Sequence, residues 1–130
     1  MADLDINLVD GAYEVPFQPS IGNYRFGCAI AGAQYIFDVR WNARDNGGAG
    51  AWYFDVSEID ETSIIRGVKV VLGTYLGRSS KHHLFSDGVF VAADLSGQQK
   101  EPGFDDLGVR VSIVYIPVLE LRIRLAGAPK

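Results

Sequence analysis

The chain has 130 residues, of which 48% are hydrophobic and 22% charged, with a formal net charge of -4 and a pI near 5.0. That length fits one domain, residues 1–130, with a core of its own, and the ordinary balance of apolar and charged residues excludes an intrinsically disordered chain. The basic residues are scattered singly, so none of them forms a patch that tracks a phosphate backbone, which excludes nucleic acid as an expected partner.

Residues 1–12 read as an N-terminal arm ahead of the first strand. Asp3, Asp5 and Asp10 stand where a signal peptide needs positive charge and then an unbroken apolar run, so synthesis in the cytoplasm is expected. No apolar stretch is long enough to span a bilayer as a helix, and no membrane is expected as a partner. In NYRFGCAI, Tyr24, Phe26, Cys28 and Ile30 share one face, and in QYIFDVRW, Tyr35, Phe37, Val39 and Trp41 do the same, with Asp38 and Arg40 opposite. This is the alternation of half-buried strands. Ala31, Gly32 and Ala33 are few enough to join them as a hairpin. Cys28, the one cysteine, excludes an internal disulfide and reads as a small buried thiol.

NARDNGGAGA then supplies turn-forming Asn46 and several glycines, the expected mobile tip of a second hairpin whose return strand is WYFDV. Trp41 and Trp52 are expected in the core beside Phe37 and Phe54. SIIRGVKVVLG is a long β-branched run with Gly67 in its middle, which predicts a bulge or bend. A short turn is expected around Tyr75–Ser80. After GVFVAADL and a polar stretch comes GVRVSIVYIPVLELRIRL, interrupted by Pro117. A proline gives nothing to a central ladder, so the chain is expected to bend there, and residues 117–130 read as an edge strand or arm. In that arm Leu119, Leu121, Ile123 and Leu125 oppose Glu120, Arg122 and Arg124. The predicted class is all-β, a small antiparallel barrel or sandwich of seven to eight strands.

The chemistry-bearing residues form no catalytic pattern. His82 and His83 are adjacent and would point to opposite faces of an extended segment, poor geometry for joint ligation or a relay. No nucleophile with a base, no phosphate-cradling loop and no metal-binding helix motif is present. Asp55, Glu58, Asp60 and Glu61 are ordinary turn acids. No enzyme, metal or cofactor is therefore expected.

ADLSGQQKEPGFDDLG, residues 93–108, is the most unusual stretch. Asp94, Glu101, Asp105 and Asp106 lack the spacing of a calcium-binding loop. Gly97, Pro102 and Gly103 suit a polar excursion between strands, and a loop of this length in a small domain tends to be an interaction element.

The ordered series VRWNARDNGGAGAWYFDV, GVKVVLG and AADLSGQQKEPGFDDLGVRVSIVYI resembles the phage baseplate plug family over roughly residues 13–116. The matching positions are Arg40, Trp41 and Asn42; Trp52, Phe54 and Asp55; Leu72 and Gly73; Asp94, Leu95, Ser96 and Gly97; and Asp105, Asp106, Leu107 and Gly108. Two departures stand out: the tip ARDNGGAG is longer than the family pattern, and the tail runs past its usual final strand. The resemblance implies a structural subunit of a contractile-tailed phage, near the axis of the tail baseplate, meeting hub, tube, spike and wedge proteins and copies of itself. The contact residues it points to are Asp94, Leu95, Ser96, Glu101, Asp105 and Asp106 in the loop and Leu119, Leu121, Ile123 and Leu125 in the tail. The competing expectation is a carbohydrate- or receptor-binding tail module using exposed aromatics, and a small enzyme stands behind it.

Overall fold

In a computed structural model, which describes residues 12–77 and 80–117, eight antiparallel strands form two four-stranded sheets. Numbered along the chain, sheet A has the order β1 (Tyr13–Val15), β8 (Val111–Pro117), β7 (Gly88–Asp94), β6 (Tyr75–Leu76). Sheet B has the order β2 (Asn23–Ile30), β3 (Ala33–Asn42), β4 (Ala51–Glu58), β5 (Ser63–Lys69). Among the described residues the sheets share no hydrogen-bonded edge, so of the two expected forms the fold is the sandwich.

Alternation places the core. Tyr35, Phe37 and Val39 of β3 and Trp52, Phe54 and Val56 of β4 are buried, and they face Phe90, Ile113 and Tyr115 of sheet A. Phe17, from the β1–β2 connection, sits edge-on to Phe26, Phe37 and Phe54 at centroid distances of 5.5, 5.9 and 5.4 Å. Burying a ring of this size contributes about 1.5–3 kcal/mol, so this cluster ties the sheets together.

Several expectations need correction. Cys28 is only half-buried, as are Tyr24 and Phe26, because β2 is an edge strand of sheet B with no neighbour to cover its flank. The burial it has still pushes the thiol pKa up. Trp41 is likewise half-buried, at the end of β3. The β-branched run from Ser63 forms β5 as far as Lys69, and the Val70 N–H still donates to the Trp52 carbonyl at 2.9 Å before the chain turns away. The bend at Gly67 is present: Phe54 pairs with Val68 and Val56 with Ile65, so Arg66 and Gly67 bulge opposite Asp55. The Gly67 N–H and the Arg40 guanidinium both donate to the Asp55 carboxylate.

The expected mobile tip is an ordered turn. Asp45 caps a 3-10 turn at Asn46–Gly48, accepting the Asn46 N–H at 2.7 Å, and its carboxylate also takes the Tyr53 hydroxyl and lies 3.2 Å from Lys69 Nζ. The turn expected around Tyr75–Ser80 is present, with the Ser80 N–H donating to the Gly77 carbonyl at 3.1 Å; the two-residue strand β6 leads into it and a single helical turn, α1 (His83–Ser86), follows. Pro117 is the last residue of β8, opposite Gly88, where its missing donor falls at the strand's end. The arm from 118 onward, with Leu119, Leu121, Ile123 and Leu125, lies outside the described residues, as does most of the N-terminal arm.

Candidate functional site

The loop between β7 and β8 is built around Arg110, which is largely buried. Its guanidinium donates to Asp94, to Asp106 at 3.2 Å and to the Glu101 carbonyl at 3.1 Å, so one cation closes the loop from three sides. Asp94 Oδ1 accepts from the Ser96 hydroxyl at 2.6 Å and the Ser96 N–H at 2.9 Å, an Asx-type turn at the exit of β7. The hydrogen bond from the Ser96 hydroxyl is the main cause that holds the Asp94 pKa down at about 2, helped by the Ser96 and Lys100 N–H groups and by Arg110 against the cost of desolvation. Asp106 is lowered chiefly by Arg110 and then by the Gly103 N–H, which it accepts at 2.7 Å.

The remaining acids tie the loop to other elements. Glu101 accepts the Leu72 N–H of the β5–β6 connection at 3.1 Å, and Asp105 accepts the Ser20 hydroxyl of the β1–β2 connection at 2.6 Å. Beneath them Trp52 donates its indole N–H to the Gly103 carbonyl at 3.0 Å and stacks on Phe104 at 5.8 Å and 5°. Leu107 is fully buried. At Gly108 the backbone has φ +83° and passes so close to Phe17 that a Cβ would lie 2.2 Å from its carbonyl oxygen, so only glycine fits.

The expected contact residues therefore divide. Asp94, Ser96, Glu101, Asp105 and Asp106 are drawn together at one end of the sandwich, with their polar atoms engaged in holding the loop. Leu95 does the opposite and is 60% exposed. Its N–H donates to the Arg110 carbonyl, which sets it beside Val109, itself 63% exposed. Val109, Phe104 and Arg110 were not among the expected residues. The sequence sign available for Arg110 is its place two residues after the acid-rich stretch that ends at Gly108.

The two tryptophans at this end offer no open platform. Trp52 is fully buried. Trp41 packs on Trp52 and Phe104 at 5.2 and 5.6 Å, and Gly50 lies so close to its ring that a Cβ would stand 2.0 Å from Cζ2. A shallow hollow lies alongside, lined by Arg40, Trp41, Asn42, Ala43, Arg44 and Tyr53. Among the described residues no three or more His, Cys, Asp and Glu side chains are gathered as a metal site.

The two histidines are also corrected. Because they begin a helical turn and not an extended strand, their rings lie side by side, 4.1 Å between centroids. His82 caps α1, with Nδ1 accepting the Leu84 N–H at 3.0 Å, and its Nε2 is 3.6 Å from Glu58.

Comparison with known proteins gives one family: the model described as "Cyanophage baseplate Pam3 plug gp18" matches residues 12–118. No curated protein matches the chain. The matched span holds every described strand and the whole Arg110 loop.

Proposed function

The chain belongs to the cyanophage baseplate plug family, and on that premise we propose a structural subunit seated near the central axis of a contractile phage tail's baseplate. In this reading it meets hub, tube, spike and wedge proteins and further copies of itself, performs no catalysis, holds no cofactor, and is made in the host cytoplasm before entering the virion. The match over residues 12–118 carries the reading. Residues 1–130 act as one domain with arms at 1–12 and 117–130, and its contact elements are the loop from Asp94 to Gly108 and the segment after Pro117. In that loop Asp94, Ser96, Glu101, Asp105 and Asp106 fix the backbone so that Leu95 and Phe104, and Val109 just after it, are offered to a neighbour. Apolar residues held outward on a rigid frame lose little entropy on binding.

The test is the double variant Leu95→Asp with Val109→Asp, both at exposed positions, introduced into phage. Its urea midpoint should stay near that of the natural chain, while particles should lack the subunit or lose infectivity. Normal incorporation and infectivity would overturn the assignment of this end as a contact surface.

A further inference from the structure

Sheet A carries an outer face that a free-standing sandwich would not leave apolar. Across its four strands the register aligns Glu14, Val114, Val91 and Tyr75, with Ile116 beside Val89 and Ser112 beside Ala93. Glu14 is the one charged side chain in those rows. The outer face of sheet B is the reverse: Arg25 pairs with Asp38 at 2.8 Å and with Glu61 at 3.3 Å, and Arg40 with Asp55 at 3.0 Å.

The centre of the apolar face is nevertheless out of water. Val114 is 2% and Ser112 4% exposed in the single chain, yet neither belongs to the core cluster between the sheets. No described strand or helix accounts for this: sheet B lies against the inner face, and α1 engages that same side through Leu84 and Phe85, which contact Tyr115 and Phe90. A sheet buried on both faces needs a third layer.

We propose that residues 118–130 of the same molecule form that layer, seating the stripe of Leu119, Leu121, Ile123 and Leu125 on the Val114–Val91 centre of the face. The segment continues directly from β8, the strand that carries Val114. Its thirteen residues reach about 40 Å when extended, against about 23 Å for β8, so it has length for a reversal and a full crossing. With Arg122, Arg124 and Lys130 against Glu120, residues 118–130 bring net positive charge to a face whose one charged residue is Glu14, whereas the other segment outside the described residues, 1–11, would bring Asp3, Asp5 and Asp10 toward it. Tethering makes the contact intramolecular and favours it over capture of a second copy. The polar side, Glu120, Arg122 and Arg124, is then presented outward. This inference does not rest on the baseplate reading, but it narrows it: the apolar stripe is taken up within the chain, and the segment after Pro117 meets a neighbour only through this polar side.

A nitroxide at Ala126→Cys, in a Cys28→Ala full-length chain with methyl-labelled Val and Ile, tests it. The methyl signals of Val91, Val114 and Ile116 should lose most of their intensity, while that of Ile36 on the outer face of sheet B should not. Adding Leu121→Asp and Ile123→Asp should restore the lost signals. In a mixture where nitroxide and methyl label are on different chains, no loss is expected. Loss in the mixture would assign the cover to a second copy, and no loss in the singly labelled chain would assign it to residues 1–11 or a partner; either result overturns the proposal.

Discussion

One end of the sandwich closes with little apparatus: the two-residue turn Ala31–Gly32, the short turn from Glu58 to Thr62, and the helical turn α1 capped by His82. The other end carries residues 43–50 and 95–110, and holds them with Asp45, Arg110, Glu101 and a floor of Trp52 and Phe104. The difference is not one of hydrogen bonding alone, since turns at both ends carry it, as Glu61 N–H to the Glu58 carbonyl at one and Gly48 N–H to the Asp45 carbonyl at the other. It lies in what those turns achieve. The simple end joins strands and leaves one large apolar side chain, Ile59 of the Glu58–Thr62 turn, exposed; the elaborate end holds four, Ile21, Leu95, Phe104 and Val109, in exposed positions. Irregular segments positioned by a rigid scaffold are where proteins place their contacts.

The largest expected effect that sharpens this contrast is at the floor of the elaborate end. Trp52→Ala removes a fully buried indole and the hydrogen bond to Gly103, and should cost about 3–5 kcal/mol in urea unfolding. Trp41→Ala, at a half-buried ring, should cost clearly less. Equal costs for the two would mean that the loop does not rest on Trp52 in the way its geometry implies.

Next in size is the charge cluster. Arg110→Ala leaves Asp94 and Asp106 without their shared cation and should lower the urea midpoint by more than Lys69→Ala does at the 43–50 tip. Acid should reveal the same cluster. The folded pKa of Asp94 lies at about 2, below the ordinary 3.8, so its contribution is present above the unfolded value and is lost as pH falls from near 4 toward 2. Asp45 and Asp106 are shifted in the same direction. Because the Ser96 hydroxyl is the leading cause at Asp94, Ser96→Ala should raise that carboxyl's pKa in an NMR titration and flatten the acid limb of stability. An unchanged titration would remove Ser96 from the account.

Much of the sandwich is legible in the sequence, because β3 and β4 write their buried faces as alternation. What alternation does not encode is a strand's place in its sheet. Cys28 has the pattern of a buried residue and the exposure of an edge residue, since β2 has a neighbour on one side only. The glycines of the 43–50 tip suggested motion, but Asp45 converts them into a capped turn through Tyr53 and Lys69, contacts from distant positions. At the candidate site the acids were visible and their purpose was not: Asp94 and Arg110 meet only once β7 and β8 have paired. The two histidine rings come together because one helical turn forms where the sequence suggests an extended segment.

The smallest expected effect belongs to the simple end and has the opposite sign. Ala31 and Gly32 both hold positive φ, 52° and 86°, which is the two-residue hairpin turn whose backbone twist suits antiparallel strands. Gly32 adopts this freely, but alanine in the left-handed region is strained by about 1–2 kcal/mol. Asparagine tolerates that region through local hydrogen bonding, and Ala31 is exposed, so Ala31→Asn disturbs no packing. The substitution should raise stability by about 0.5–1 kcal/mol, read as a higher urea midpoint with an unchanged slope. Placed in phage beside the Leu95→Asp and Val109→Asp chain, it should leave incorporation into baseplates intact. If it instead excluded the subunit as thoroughly as the loop variant does, the simple end would also be a contact surface, and the contrast between the two ends would fail.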